Sequence, residues 1–221
     1  MTTESYGQYC PITRAVEAIG QRWSILILRD LTTGTTRFND LARGLPGISR
    51  TLLSTRLKQL EESGLVEKAG GEYHLSDAGR DLEDVLMGLG AWGAKWLLDD
   101  PREDELDSEF LVWRVHLRLD TSLLPPQRFV LHLRFSDDPK QFWIVIDDGV
   151  PSVCTADHGF DVDVSMETDM VTLLRVWLGR EPLRPAIAED RIRLTGRREA
   201  IDLVPDLLLL SEAAEFPALQ R

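Results

Sequence analysis

The strongest constraint on this chain is a change of period. Up to about Leu98 the apolar residues recur every three or four positions, the spacing of one helix face. From Glu109 to about Glu167 they alternate, the spacing of a half-buried strand. The change falls across Asp99-Asp-Pro-Arg-Glu-Asp-Glu105, an acidic stretch whose only non-charged residue is a proline. This predicts an α+β chain of two domains: a helical one over 1–100, a linker over 101–108, and a sheet-containing one over 109–221. With 221 residues in all, each half can bury a core of its own.

The first half predicts a helix from about Ile12 to Gly20 that buries Ala15, Val16 and Ile19. A second, apolar nearly all round, runs from Trp23 to about Leu31, and a short one from Arg37 to Gly44 turns Phe38 and Leu41 inward. After Leu45-Pro-Gly47, Ser49 stands at an N-cap, and a helix to about Ser63 carries Leu53, Leu57 and Leu60 on one face, with Gly64 closing it. Two short runs flank Gly70-Gly71, a hairpin signal. A long helix then starts behind Ser76, with Leu82, Val85, Leu86, Leu89, Trp92 and Trp96 in one stripe.

Helix, short helix, turn, amphipathic helix and glycine-tipped hairpin follow one another in the order of a winged helix-turn-helix. In that arrangement the second helix of the pair enters the DNA major groove. Its outward face here is Arg50, Thr51, Ser54, Thr55, Lys58 and Gln59, beside the cap Ser49. Arginine reads guanine bidentately, and hydroxyls reach phosphates or base edges. Arg37 and Arg56 are expected to hold phosphates, with Lys68 near the wing tip. The competing reading is a helical hairpin with a merely solvated polar face. Net charge is −12, which disfavours indiscriminate nucleic-acid binding, but it is unevenly spread. The first hundred residues carry 11 Lys/Arg against 14 Asp/Glu, the remainder 14 against 23. Between Arg37 and Lys58 the only acid is Asp40, and a local basic patch acts over about 10 Å at physiological salt.

Cys10-Pro11, Gly20-Gln-Arg-Trp23, Ile27-Leu-Arg-Asp-Leu31, Arg37-Phe38, Leu45-Pro-Gly-Ile-Ser49, Leu57-Lys-Gln-Leu60, Gly64-Leu-Val66 and Leu75-Ser-Asp-Ala-Gly79 together resemble the HxlR-type transcriptional regulators, winged-helix relatives of the MarR group. The likeness covers about residues 8–98. It implies a homodimeric DNA-binding regulator paired through the terminal helices of this domain. A palindromic double-stranded operator is then expected. The wing departs from the family in being short, with only Lys68 beside its tip. The stripe with Leu89, Trp92 and Trp96 is the expected dimer interface, the alternative being that it packs on the second half. The cysteine that opens the family motif senses oxidants or electrophiles in some relatives. Cys10 stands before Pro11 at a helix start, where the helix dipole favours a thiolate; the alternative is a small packing residue.

The second half predicts an antiparallel sheet with one polar face, backed by helices. Strands are expected over 109–120, 128–135, 142–146, 150–155, 160–165 and 191–194, with helices over about 169–178 and 199–210. Phe142-Trp-Ile-Val-Ile-Asp-Asp-Gly149, Asp161-Val-Asp-Val164, Leu173-Leu174, Leu178-Gly179 and Ile192-Arg-Leu-Thr-Gly196 resemble a sterol-carrier-protein domain. That resemblance implies an apolar site for an acyl or sterol-like effector, with Trp113, Phe129, Phe142 and Trp177 as candidate lining, unless they only fill the core. The carboxylates of Asp147, Asp148, Asp161 and Asp163 read as turn and solvent-facing strand residues.

No nucleophile constellation, metal-ligand spacing or glycine-rich phosphate loop stands out, and no run of 18 apolar residues suggests a membrane span. Two cysteines and no leader-like start point to a reducing cytoplasm. The expectation is a cytoplasmic regulator without cofactor or enzymatic activity. Its rivals are a lipid carrier that associates through its helical half, and a Cys10 thiol sensor.

Overall fold

The computed structural model describes residues 5–216 and divides into two compact units after Gly90. The first opens with α1 (Pro11–Ile19), α2 (Ser24–Thr32), α3 (Phe38–Arg43) and α4 (Arg50–Glu62). The hairpin β1 (Val66–Ala69) and β2 (Glu72–Leu75) follows, then α5 (Asp77–Arg80) and α6 (Glu83–Trp96), which runs across the division.

Helix α4 is built as its sequence dictates. Ser49 is extended and its Oγ accepts the N–H of Leu52 at 3.2 Å, satisfying one free donor of the first turn. Leu53, Leu57 and Leu60 are fully buried with Ile27, Leu28, Leu41 and Leu45. Ala69 pairs with Glu72, so Gly70 and Gly71, at φ +60° and +87°, form a two-residue turn that needs left-handed backbone at both positions. The expected burial along α1 is corrected for Ala15 and Val16, which are exposed, while Ile19 is partly buried and packs against the core of this unit.

The long helix behind Ser76 is also corrected. Ser76 Oγ caps only α5, accepting Gly79 N at 3.1 Å, and the N–H of Leu82 reaches back three residues to the Gly79 carbonyl. That tightened turn separates α5 from α6. A Cβ on Gly79 would stand 2.1 Å from the Leu65 carbonyl oxygen, so this helix start lies directly on the backbone entering β1.

In the second unit α7 (Ser108–His116) precedes β3 (Phe129–Phe135), β4 (Gln141–Asp147), β5 (Val150–Cys154) and β6 (Val164–Thr168). Then come α8 (Met170–Trp177), α9 (Leu183–Ala188), β7 (Arg193–Gly196) and α10 (Arg198–Leu207). The strand expected over 109–120 is a helix. Asp107 caps it by accepting Phe110 N at 3.1 Å, and Leu111, Val112 and Val115 face the core. In a segment this apolar, helical and alternating periods both find matches. The strand expected from Phe160 begins only at Val164, and α9, with Pro182 at its cap and Pro185 in its first turn, was not anticipated.

The sheet is mixed rather than antiparallel. Its order is β5-β4-β3-β6-β7, with β3 and β6 parallel and every other pair antiparallel. Parallel neighbours require a crossover, supplied by segment 155–163, which carries the chain from edge strand β5 past β4 and β3. Phe129, Leu131, Leu133 and Phe135 face the core with Phe142, Ile144 and Ile146, against α7, α8 and α10. Gly79→Ala is expected to destabilise the first unit by about 2 kcal/mol, because the added methyl has no space. Urea unfolding followed by hydrogen exchange of the Leu53–Leu57–Leu60 amides measures this.

Candidate nucleic-acid interface

The outward face of α4 is set by the burial of its inner one. Arg50, Thr51, Ser54, Thr55 and Lys58 are exposed, as Leu53, Leu57 and Leu60 are not. The Arg50 guanidinium is held from two sides: it donates to Asn39 Oδ1 and lies over the Phe38 ring, 5.3 Å from its centre. Helix α3 thus supplies a socket that pre-orders the first side chain of α4. Asn39 was not anticipated and Phe38 was read as inward; their direct succession to Arg37 is the only sequence signal for either. Thr55 Oγ donates back to the Thr51 carbonyl at 2.9 Å, and Lys58 Nζ lies 3.7 Å from Glu62.

Arg56, expected to hold phosphate, also makes contacts within the unit. It is half-buried, its Nε donates to the Arg22 carbonyl at 2.9 Å, and its Nη1 donates to Gln59 Oε1 at 2.6 Å. It fastens α4 to the turn before α2, where Trp23 sits at φ +82°, a conformation that costs an indole-bearing residue roughly 1–2 kcal/mol. Ser49 is committed to the cap.

Arg37 reaches the wing. Its Nε donates to Glu72 Oε1 at 2.9 Å, and Thr36 Oγ donates to the other carboxylate oxygen at 3.2 Å. The hydrogen bond from Arg37, then that from Thr36, holds the Glu72 carboxyl below its usual range, and the same contact raises Arg37. Lys68 Nζ lies over the Tyr73 ring at 5.0 Å, which keeps it on the wing. The structure therefore places Arg50, Thr51, Ser54, Thr55 and Lys58 on one helix face, leaves Arg37 exposed beside the wing, and engages Ser49 and Arg56 in contacts within the unit.

Leu89, Trp92 and Trp96 are 47%, 54% and 51% exposed along α6, together with Val85 at 56%. Cys10 occupies the cap position before α1 with extended backbone. Its thiol is held below the ordinary thiol range by the Thr13 N–H, then by the Ile12 N–H and the Thr13 hydroxyl.

The aromatics expected to line one apolar site do not converge. Phe142 is core, edge-on to Phe135 at 6.1 Å, and Trp113 is buried against His116 at 4.3 Å. Phe129 borders an open cleft, and Trp177 a separate cavity of about 60 Å³. His116 and His132 lie on different elements. The first is on α7, and the second stacks on Trp143 at 4.7 Å. Asp163 is not solvent-facing: it is 7% exposed and accepts the Val130 N–H at 2.8 Å. Among the described residues no group of three or more metal-ligating side chains occurs, and no helix is long and apolar enough to cross a membrane.

These elements define a winged helix-turn-helix in the first unit. The profile of the HxlR-like helix-turn-helix family matches residues 18–101. The HTH-type transcriptional regulator YvaP of Bacillus subtilis is 34% identical over 98 residues, covering 41% of this chain and 91% of YvaP. A second regulator of that type, sll1512 of Synechocystis, is 36% identical over 107 residues, covering 45% and 79%. The chain belongs to the HxlR-like helix-turn-helix family. It also matches Rv3095 of Mycobacterium tuberculosis, 43% identical over 93 residues, 39% of this chain; it spans only 58% of that relative's length. The reduced form of the transcriptional regulator YodB from B. subtilis aligns with TM-score 0.36 and 31% identity, over 41% of this chain and 96% of YodB.

The lowered thiol of Cys10 predicts a pH dependence. A depressed folded value means that the thiolate's stabilisation is present above the unfolded thiol's pKa and is lost as pH falls through the folded value. Alkylation by iodoacetamide is therefore expected to titrate at lower pH in the folded chain than in urea. Coincident profiles would show that the helix start does not favour the thiolate.

Proposed function

We propose that the protein is a sequence-specific, double-stranded-DNA-binding transcriptional regulator that acts as a homodimer and has no enzymatic activity of its own. The observation that carries this is the exposed face of α4, where Arg50 is pre-ordered by Asn39 and Phe38 beside Thr51, Ser54, Thr55 and Lys58. Family membership supports the same reading. Arg50 reads a base edge in the major groove, Lys58 contacts phosphate, and Arg56 keeps the helix in register through the Arg22 carbonyl. The exposed stripe of Leu89, Trp92 and Trp96 supports pairing with a second copy, which places two α4 helices on a palindromic operator. The second unit acts as the effector module, consistent with its sterol-carrier-like motifs, and takes a small molecule with an apolar body.

A second reading is favoured by the geometry of Cys10: modification of a thiolate at the start of α1 changes operator affinity. Cys10→Ser abolishes a response to an electrophile if this reading holds, and an unaltered response removes it.

Fluorescence anisotropy with DNA from upstream of the protein's own gene tests the main reading, at two salt concentrations and beside a scrambled duplex. Specific binding is expected to exceed the scrambled duplex by roughly a thousandfold. Arg50→Ala is expected to weaken operator binding by about 1–3 kcal/mol and to relax specificity at one base pair. Lys58→Ala is expected to weaken all sequences alike and to lower the salt slope by about one. Equal, salt-sensitive binding to both duplexes would overturn the assignment. Trp92→Asp with Trp96→Asp is expected to yield a monomer by sedimentation equilibrium, with operator affinity reduced.

A further inference from the structure

The second unit contains an open cleft of about 940 Å³, bounded by segment 125–129, by 159–163 and by the start of α10. The volume suits a drug-sized molecule. Its apolar lining comes from Phe129, Phe160, Val162, Ala200 and Leu203. The charged lining is what discriminates among occupants. Two arginines border the cleft, and both are already engaged. Arg197 pairs with the buried Asp163, which also accepts the Val130 N–H. Arg128 donates to Asp147 at 2.7 Å and lies over the Phe160 ring, 4.0 Å from its centre. Besides Asp163, two further carboxylates border it, Asp161 and Glu199. Both residues are exposed, and among the described residues neither side chain makes a hydrogen bond or an ion pair. The uncompensated charge at the mouth is thus negative. The one aromatic face there with a polar contact already carries a cation.

We propose that this cleft binds an amphipathic organic cation, with its apolar body against Phe160, Ala200 and Leu203 and its charge met by Asp161 and Glu199. An organic anion would face the two carboxylates, and no arginine there is without a partner to meet it. A neutral acyl chain or sterol would leave both carboxylates less hydrated with nothing in exchange. A cation is favoured by both. The ligand class rests on the reading of the second unit as an effector module.

Isothermal titration of the full chain at physiological salt, without DNA, tests the site. The probes are tetraphenylphosphonium and tetraphenylborate, alike in shape and opposite in charge. The phosphonium is expected to bind and the borate to bind at least about tenfold more weakly. The chain's net charge of −12 biases every cation, so the decisive comparison is local. The double variant Asp161→Asn, Glu199→Gln is expected to lower phosphonium affinity about tenfold while leaving thermal unfolding unchanged. No phosphonium binding, equal or tighter borate binding, or undiminished affinity in the double variant would each overturn the proposal. Displacement of the phosphonium by sodium laurate at lower concentration would instead mark an acyl site. Operator binding is read separately. Phosphonium that binds without altering operator affinity leaves the site standing and removes the effector reading.

Discussion

Everything in the first unit depends on one helix having two unlike faces. Leu53, Leu57 and Leu60 are fully buried, each contributing roughly 2 kcal/mol of burial. That fixes the rotation of α4 about its axis, and so determines which residues meet solvent. The polar contacts then lock its position along the axis. Ser49 secures the start, and Arg56 ties the middle to the Arg22 carbonyl. The wing is referenced to the same frame through Tyr73 N, which donates to the Thr36 carbonyl at 2.8 Å, and through Arg37 and Glu72. A rigid presentation of this kind is what reading base edges demands, since bidentate contacts tolerate little angular error.

The basic residues between Arg37 and Lys58 look equivalent in the sequence, and the structure separates them into distinct tasks. Arg56 completes an internal carbonyl, Arg37 holds the wing, and Arg50 is aimed outward from a socket of Asn39 and Phe38. This matters for an acidic chain. A protein of net charge −12 gains little from diffuse attraction to phosphate, so its affinity must come from a few well-placed contacts.

The first unit was legible because its signals are local: a cap three residues before the N–H it accepts, a leucine spacing, two glycines between short strands. The second unit was less so, for identifiable reasons. Residues 111–115 are nearly all apolar, and the period that should distinguish helix from strand vanishes there. The choice falls to Asp107, whose capping role depends on a single hydrogen bond. The parallel pairing of β3 with β6 leaves no mark in either strand, since it is decided by where segment 155–163 travels. Asp163 reads as one of two alternating carboxylates with Asp161. Only the fold shows that one is buried against Arg197 and the other borders the cleft. The socket of Arg50 joins residues eleven positions apart on separate helices, beyond any periodic signal.

Effector control of DNA affinity has a thermodynamic limit. A tenfold change in operator affinity needs about 1.4 kcal/mol of coupling, and a ligand supplies only the difference between its affinities for two states. Contact with Phe160 alone is a poor source. A ligand cation that takes the ring displaces Arg128, and one cation–π contact is exchanged for another at little net gain. Arg128 retains Asp147 in either case. The differential must come from groups whose environment changes most on occupation, and these are Asp161 and Glu199. Arg128 ties segment 159–163 to the start of β3 through Phe160, and Asp163, paired with Arg197 and accepting the Val130 N–H, holds the end of that crossover in the sheet.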